Sequence, residues 1–202
     1  QSTTVATDAD CDGVLTDDDC DDNDDTLGDR ENDADCDGTL TAEDCDDNDA
    51  TSLTKLIDPE CDGFYLADNG VTVRCPYAAV DTSGLVDGVM YTRRDREFLL
   101  QYSSRAYLST SCTSGITDMS ELFPYTNVNQ DISSWDVSSV TNMRFMFEYK
   151  TFNEDIGDWD VSNVTDMRGM FGVNSVFNQD IGDWDVSSVT NMDNMFSVTP
   201  FN

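Results

Sequence analysis

The 202-residue sequence has no histidine and few basic residues: ten lysines and arginines stand against 42 acids. Without histidine, the usual base for a serine or cysteine nucleophile is missing, which argues against an enzyme. A formal net charge of −32 argues against nucleic acid as a partner, because phosphates would be repelled. No run approaches the ~20 apolar residues that a membrane-spanning helix needs. The sequence predicts a non-catalytic protein without a membrane span in this segment.

The negative charge is concentrated at the N-terminus, where residues 1–62 hold 23 acidic residues and two basic ones. Such a segment is normally disordered, but it also holds five of the seven cysteines, at fixed spacing. Disulfide bonds in place of a core indicate an oxidising environment, so we expect a secreted or cell-surface, extracellular protein. The start at Gln1, without a hydrophobic leader, fits a removed signal peptide or a fragment of a longer chain.

Two repeat systems divide the chain. The first opens with D-x-[DE]-C-D-G at Asp8, Asp33 and Asp58, at intervals of 25 residues. The second carries a tryptophan at Trp135, Trp159 and Trp184, at intervals of 24 and 25 residues. This pattern predicts aspartate-rich calcium-binding repeats over residues 1–62, a cap over 63–114 and a repeat domain over 115–202.

The aspartate-rich repeats match the twelve-residue loop of EF-hand-type calcium sites, with carboxylates at alternate positions and glycine at the sixth. The first two loops offer the side chains of Asp8, Asp10, Asp12, Asp19, Asp33, Asp35, Asp37 and Asp44 and the carbonyls of Val14 and Thr39. Further oxygen ligands follow at Asp21, Asn23, Asp46 and Asn48. The third copy offers Asp58, Glu60, Asp62 and the Phe64 carbonyl, without a closing carboxylate.

Oxygen ligands without histidine favour several Ca²⁺ ions over zinc or copper, and a solvated acidic linker is the alternative. The string DADCDGVLTDDDCDDND, which begins at Asp8, resembles thrombospondin type 3 repeats and related bacterial metal-binding repeats. The resemblance covers about residues 8–69. It implies an irregular rod of calcium loops with little secondary structure and with bridges between neighbouring loops.

The cysteine spacing favours bridges from the end of one repeat to the start of the next. This rule and the cap predict the disulfides Cys20–Cys36, Cys45–Cys61 and Cys75–Cys112. Cys11 is then unpaired or bridged outside this chain segment. The alternative pairs Cys11 with Cys20 and Cys36 with Cys45, and it leaves Cys61 over.

The tryptophan repeats predict a mixed α/β solenoid, leucine-rich-repeat-like, with coils of 24–25 residues. In each coil, FNQDIGDW is typical of a strand and turn, and SSVTNMDNMF places Val189, Met192, Met195 and Phe196 on one helical face. The tryptophans and methionines are interpreted as core. Asn129, Asn153, Asn178 and Asn202 are interpreted as a buried ladder. In the cap, we expect strands within VTVRC and GVMYT and a short helix after Asp95.

The motif WDVSSVTNMDNMF resembles the repeats of BspA-like surface proteins, with the match running from about residue 61 to the end. The resemblance implies a leucine-rich-repeat-like solenoid and adhesion at a cell surface. Contacts are expected at positions that vary between repeats: Arg144, Phe145, Glu148, Tyr149, Lys150 and Arg168.

Together these features predict an extracellular structural or adhesive surface protein that is stiffened by calcium. Its expected partners are calcium ions and copies of itself or another surface protein. The unmatched Cys11 and the uncapped end at TPFN suggest head-to-tail contacts that build a filament. The alternative is a fragment of a long cell-surface adhesin that binds host, matrix or glycan ligands through its solenoid face.

Overall fold

The computed structural model describes residues 45, 54, 57–58, 61–102, 107–123 and 128–201. The chain divides into two compact units, Gln1–Cys61 and Asp62–Asn202. The helices and strands of the described part all lie between Tyr65 and Cys112. They form a small cap ahead of the repeats.

The cap contains two small sheets. One is the antiparallel pair β1 (Tyr65–Leu66) and β2 (Val73–Arg74). The other has the order β3 (Ser83–Val86), β4 (Val89–Arg93) and β5 (Ser111–Cys112), in which β4 runs antiparallel to β3 and parallel to β5. The helix α1 (Arg96–Tyr102) and a 3-10 helix (Leu108–Thr110) lie between β4 and β5.

These elements agree with the local sequence signals. β2 lies within VTVRC and β4 covers most of GVMYT, so the two predicted cap strands are confirmed. The predicted helix is also confirmed, because Asp95 Oδ1 accepts a hydrogen bond from Phe98 N at 2.8 Å, the expected N-cap contact. At β3, Gly84 leaves room for Phe64, since a Cβ on Gly84 would lie 2.3 Å from Cδ2 of Phe64.

Beyond the cap, successive repeats are tied together through their backbones. Isolated parallel β-bridges join Asp118 to Asn142, Asn142 to Asp166 and Asp166 to Asn191. Beside each bridge, a methionine amide donates to the bridge residue of the next repeat at 2.9 Å, as from Met119 N to Asn142 O. The repeat period therefore places equivalent residues over one another.

The core of the repeats consists of columns of equivalent side chains. Phe123, Phe147, Phe171 and Phe196 form one column, with neighbouring ring centroids 5.6 Å apart. Trp159 Nε1 donates to Ile132 O at 3.2 Å, and Trp184 Nε1 makes the equivalent bond to Ile156 O at 3.1 Å. The prediction that the tryptophans belong to the core is confirmed by their burial.

The predicted fold class, a mixed α/β solenoid of leucine-rich-repeat type, is wrong. The described residues hold two small sheets and one α-helix of seven residues, all in the cap. The repeats are built from turns, because their amides do not follow the helical i to i−4 pattern. Met195 N donates to Met192 O within a turn, whereas Phe171 N donates to Met195 O in the next repeat. The predicted calcium-loop rod lies mostly outside the described residues.

The predicted ladder at the recurring asparagines is not buried, although Asn153 Oδ1 accepts a hydrogen bond from the backbone N of the next recurring residue, Asn178, at 2.8 Å. Asn129 and Asn178 are exposed. The buried asparagine is Asn174, whose Nδ2 donates to Phe152 O at 3.1 Å and whose Oδ1 accepts from Phe177 N at 3.2 Å. Asn174 precedes the recurring position by four residues and satisfies the backbone at the bend itself.

Candidate functional site

Basic and aromatic side chains from three neighbouring repeats meet on one surface, which we call the basic–aromatic patch. It consists of Glu121, Arg144, Phe145, Glu148, Tyr149, Lys150 and Arg168. Arg144, Lys150 and Arg168 are all the basic residues that follow Cys112 in the sequence. The patch is therefore the only place in the repeats where positive charge collects.

The backbone bonds between repeats hold the patch in place. Phe145 N donates to Arg168 O and Tyr149 N donates to Gly172 O, each at 2.9 Å. Both aromatic residues have φ of 57°, in the left-handed region. A side chain in that region is uncommon and is kept there by its surroundings.

The Phe145 ring lies against the backbone of the next repeat. A Cβ on Gly169 would lie 2.3 Å from Cδ1 and Cε1 of Phe145, so the ring occupies the space that a side chain at 169 would need. The guanidinium carbons of Arg144 and Arg168 lie 4.9 and 5.6 Å from the ring centroid. These distances are within the range of cation–π interactions.

The charges around this ring are only partly paired. Arg144 Nη2 lies 3.2 Å from Glu121 Oε1 on the preceding repeat. Burial raises the pKa of Glu148, and the nearby negative charge of Glu121 raises it further. Burial lowers the pKa of Lys150, and the charge of Glu148 opposes that shift. Glu148 and Lys150 are both half-buried, so water has only partial access to their charged groups.

A surface groove of about 400 Å³ runs through the patch. It is lined by Glu121, Phe123, Phe145, Glu148, Tyr149 and Lys150. Tyr149 is 68% exposed, and Arg168 beside the groove is also exposed. The groove thus combines aromatic surface, hydrogen-bond acceptors and positive charge.

The structure brings together all six positions at which the sequence predicts contacts. Sequence reasoning missed Glu121 and Phe123, which come from the preceding repeat. Their signal was the repeat register, because Glu121 precedes Phe145 by one period of 24 residues. Comparison of equivalent positions would have placed Glu121 beside Phe145.

The third predicted calcium loop is described only in part. Asp62 accepts hydrogen bonds from Phe64 N at 3.0 Å and from Leu85 N at 2.7 Å, so both of its carboxylate oxygens hold the cap backbone. Asp58 is buried. Within the described ranges, no three or more acidic or cysteine side chains are grouped so as to hold a metal ion. The calcium site at this copy stays a prediction.

Most predicted ligands lie outside the described residues. They are Asp8, Asp10, Asp12, Val14, Asp19, Asp21, Asn23, Asp33, Asp35, Asp37, Thr39, Asp44, Asp46, Asn48 and Glu60.

Two of the predicted cysteine pairs are joined in the structure. Cys45 is bonded to Cys61, 16 residues later, and not to Cys36 as in the alternative pairing. Cys75 is bonded to Cys112 inside the cap, where both are fully buried. The remaining predicted pair, Cys20–Cys36, and the leftover Cys11 lie outside the described residues.

Stacked turns with an aromatic core and a surface patch define a repeat protein with a candidate binding face. The chain belongs to the family described as "Mycoplasma protein of unknown function, DUF285", whose model matches residues 98–202. That match contains the whole basic–aromatic patch. No curated protein and no solved structure matches the chain. In the part of the chain that the structure describes, no helix has the length and apolar character to cross a membrane.

Proposed function

We propose that the protein is a non-catalytic, extracellular adhesive module that binds its ligand at the basic–aromatic patch. The observation that carries this proposal is the exposed Tyr149 beside the Phe145 ring, which Arg144 and Arg168 flank. Tyrosine and arginine are the side chains that most often dominate binding energy at protein surfaces. Here they collect on one face of an otherwise acidic protein.

Two further observations support the proposal. The sequence has no histidine, which removes the commonest general base from any catalytic arrangement. The buried Cys75–Cys112 disulfide suits an oxidising, extracellular location. Stiffening by calcium and assembly with other copies belong to the same proposal, and their support comes from the repeats and cysteine spacing of the sequence.

Adhesion of coated beads tests this function. Beads that carry the full chain are applied to plates coated with mucin, with collagen or with albumin as a blank, and the retained beads are counted after washing. We expect retention on mucin or collagen, and we expect Tyr149→Ser and Arg168→Gln each to reduce it by about tenfold or more, as for a hot-spot residue.

Tyr77→Ser is the matched control, because Tyr77 is 67% exposed and lies in the cap, outside the patch. Circular dichroism shows whether each variant keeps its fold. Retention that survives both patch substitutions, or that Tyr77→Ser abolishes equally, would contradict a ligand site at the patch.

A further inference from the structure

Resting on the proposed function, we propose that the ligand of the basic–aromatic patch is a saccharide that carries an isolated carboxylate or sulfate group. The proposal joins three properties of the groove: its size, its aromatic surface and its mixture of charges. Each of them restricts the chemistry of the ligand in a different way.

The size of the groove favours a small ligand unit. A volume of about 400 Å³ is typical of small-molecule sites. A stable protein interface needs roughly 800 Å² of surface from each partner, whereas this groove is lined by six residues. One or two sugar units fit such a space, and a longer glycan can continue beyond it.

The aromatic side chains provide a surface for the apolar face of a sugar ring. Tyr149 is fixed at the edge of the groove by its backbone bond to Gly172 O and presents both a ring and a hydroxyl. Phe145 is held against Gly169. Because the backbone at both positions is fixed before binding, the conformational entropy lost when a sugar ring stacks there is limited to side-chain rotation.

The charged side chains select for an acidic substituent next to hydroxyl groups. Arg168 is exposed and has no ion pair among the described residues, so its guanidinium is available for a planar carboxylate or for a sulfate. Lys150, partly withdrawn from water, provides a second cation. Glu121 and Glu148 are acceptors for sugar hydroxyls.

The net charge of the whole chain further restricts the class of ligand. With 42 acids and ten bases, the protein repels densely charged polyanions such as nucleic acids. An acidic saccharide spaces its charges with neutral groups, so a single charge can reach the patch while few others are brought close to the acidic protein. Isolated acidic groups are therefore favoured over phosphate-rich chains.

Isothermal titration of the full chain with four probes tests the inference: a hyaluronan tetrasaccharide, a chondroitin sulfate tetrasaccharide, a neutral chitin tetrasaccharide and a single-stranded DNA 20-mer. We expect one acidic saccharide to bind at least about tenfold more tightly than the neutral one, and we expect no binding of the DNA. Hyaluronan carries carboxylates only and chondroitin sulfate carries both groups, so binding of both probes indicates a carboxylate, and binding of chondroitin sulfate alone indicates a sulfate.

Substitutions test whether the ligand binds at the patch. We expect Tyr149→Ser and Arg168→Gln each to weaken binding of the acidic saccharide by about tenfold. We expect Tyr77→Ser to leave the affinity unchanged. The affinity of Arg168→Lys should lie between those of the unchanged protein and Arg168→Gln, because lysine keeps the charge but lacks the planar pair of donors.

Equal binding of neutral and acidic saccharides, DNA binding at similar affinity, or no saccharide binding at millimolar concentration would each overturn the inference. The proposed function can still stand in the last case. Beads that adhere to deglycosylated collagen through Tyr149 would show a protein ligand, whereas beads that adhere nowhere would refute the proposed function itself.

Discussion

The basic–aromatic patch depends on backbone positions that few side chains occupy. Phe145 and Tyr149 both have φ of 57°, although neither is glycine. Such positions cost on the order of 1–3 kcal/mol each and persist only where neighbouring structure enforces them. Here the bonds to Arg168 O and Gly172 O hold the backbone at both positions, so the two side chains start from fixed points beside the groove.

Gly169→Ala tests how tightly the Phe145 ring is held. Gly169 has φ of 60°, and an added methyl group would lie 2.3 Å from the ring. We expect chemical denaturation to show a loss of about 2 kcal/mol, from backbone strain and displacement of the ring together. Ligand binding at the patch should fall as well, because the ring moves.

Gly88→Ala separates the cost of backbone strain from the cost of displacing the ring. Gly88 also has positive φ, of 78°, but a Cβ there would meet no atom within 4 Å. Its replacement should cost only the strain, about 1 kcal/mol. In a Phe145→Ala background, Gly169→Ala should cost no more than Gly88→Ala, and an unchanged difference would refute the contact with the ring.

Glu148 makes the stability of the patch depend on pH. Burial and the charge of Glu121 raise the pKa of Glu148 in the folded chain above the ordinary value of 4.5. The folded state then binds the proton more tightly than the unfolded state, so ionisation of Glu148 destabilises the fold as pH rises through its folded-state pKa. Glu148→Gln should therefore stabilise the protein at neutral pH and have little effect below pH 4.5.

Urea denaturation of both proteins across the acidic range measures this difference. Glu121→Gln provides the internal comparison, because it removes one of the two causes and should lower the pKa of Glu148 toward the ordinary value. Carbon-13 NMR of the Glu148 carboxyl measures that shift directly. A stability difference that is constant with pH would contradict the argument.

At the level of elements, the sequence predicts what depends on period and local signals. The 24–25-residue register of the tryptophans, the cap strands and the N-cap at Asp95 were all visible in it. The turn-built character of the repeats was not visible, because the spacing of Val189, Met192 and Met195 fits a helical face and a series of turns equally well. Hydrogen bonds to the neighbouring repeat decided between them, and such bonds leave no local signal.

Asn174→Ala tests whether the buried Asn174 side chain stabilises the bend between two repeats. Its side chain is buried, donates to Phe152 O and accepts from Phe177 N. Truncation leaves both backbone groups without their partner, so we expect a loss of about 2 kcal/mol in chemical denaturation. Ser175→Ala, at the exposed neighbouring position, should cost less than about 0.5 kcal/mol. Equal losses would contradict the structural role of the Asn174 side chain.

At the level of the whole molecule, negative charge is distributed unequally along the chain. Residues 1–62 carry 23 acids and two bases, a net charge of −21, and the remaining residues contribute 19 acids and eight bases, a net charge of −11. The described repeats are held by an aromatic core and bonds between neighbours. The acidic segment is poor in apolar residues and rich in charge of one sign, so we predict that any order in it depends on bound cations and disulfides.

Removal of calcium should therefore affect the two units differently. We expect trypsin to cleave at Arg30 and Lys55 within the acidic segment after chelation and dialysis, because the carboxylates then repel one another without bound cations. Arg144 and Arg168 in the repeats should stay resistant, since core packing and turns hold them.

Reduced samples analysed by mass spectrometry give the rate of cleavage at each site. Added Ca²⁺ should restore protection at Arg30, and Mg²⁺ should restore less, because it retains its own water. Equal cleavage at Arg30 with and without calcium would refute the calcium loops and leave the basic–aromatic patch unaffected.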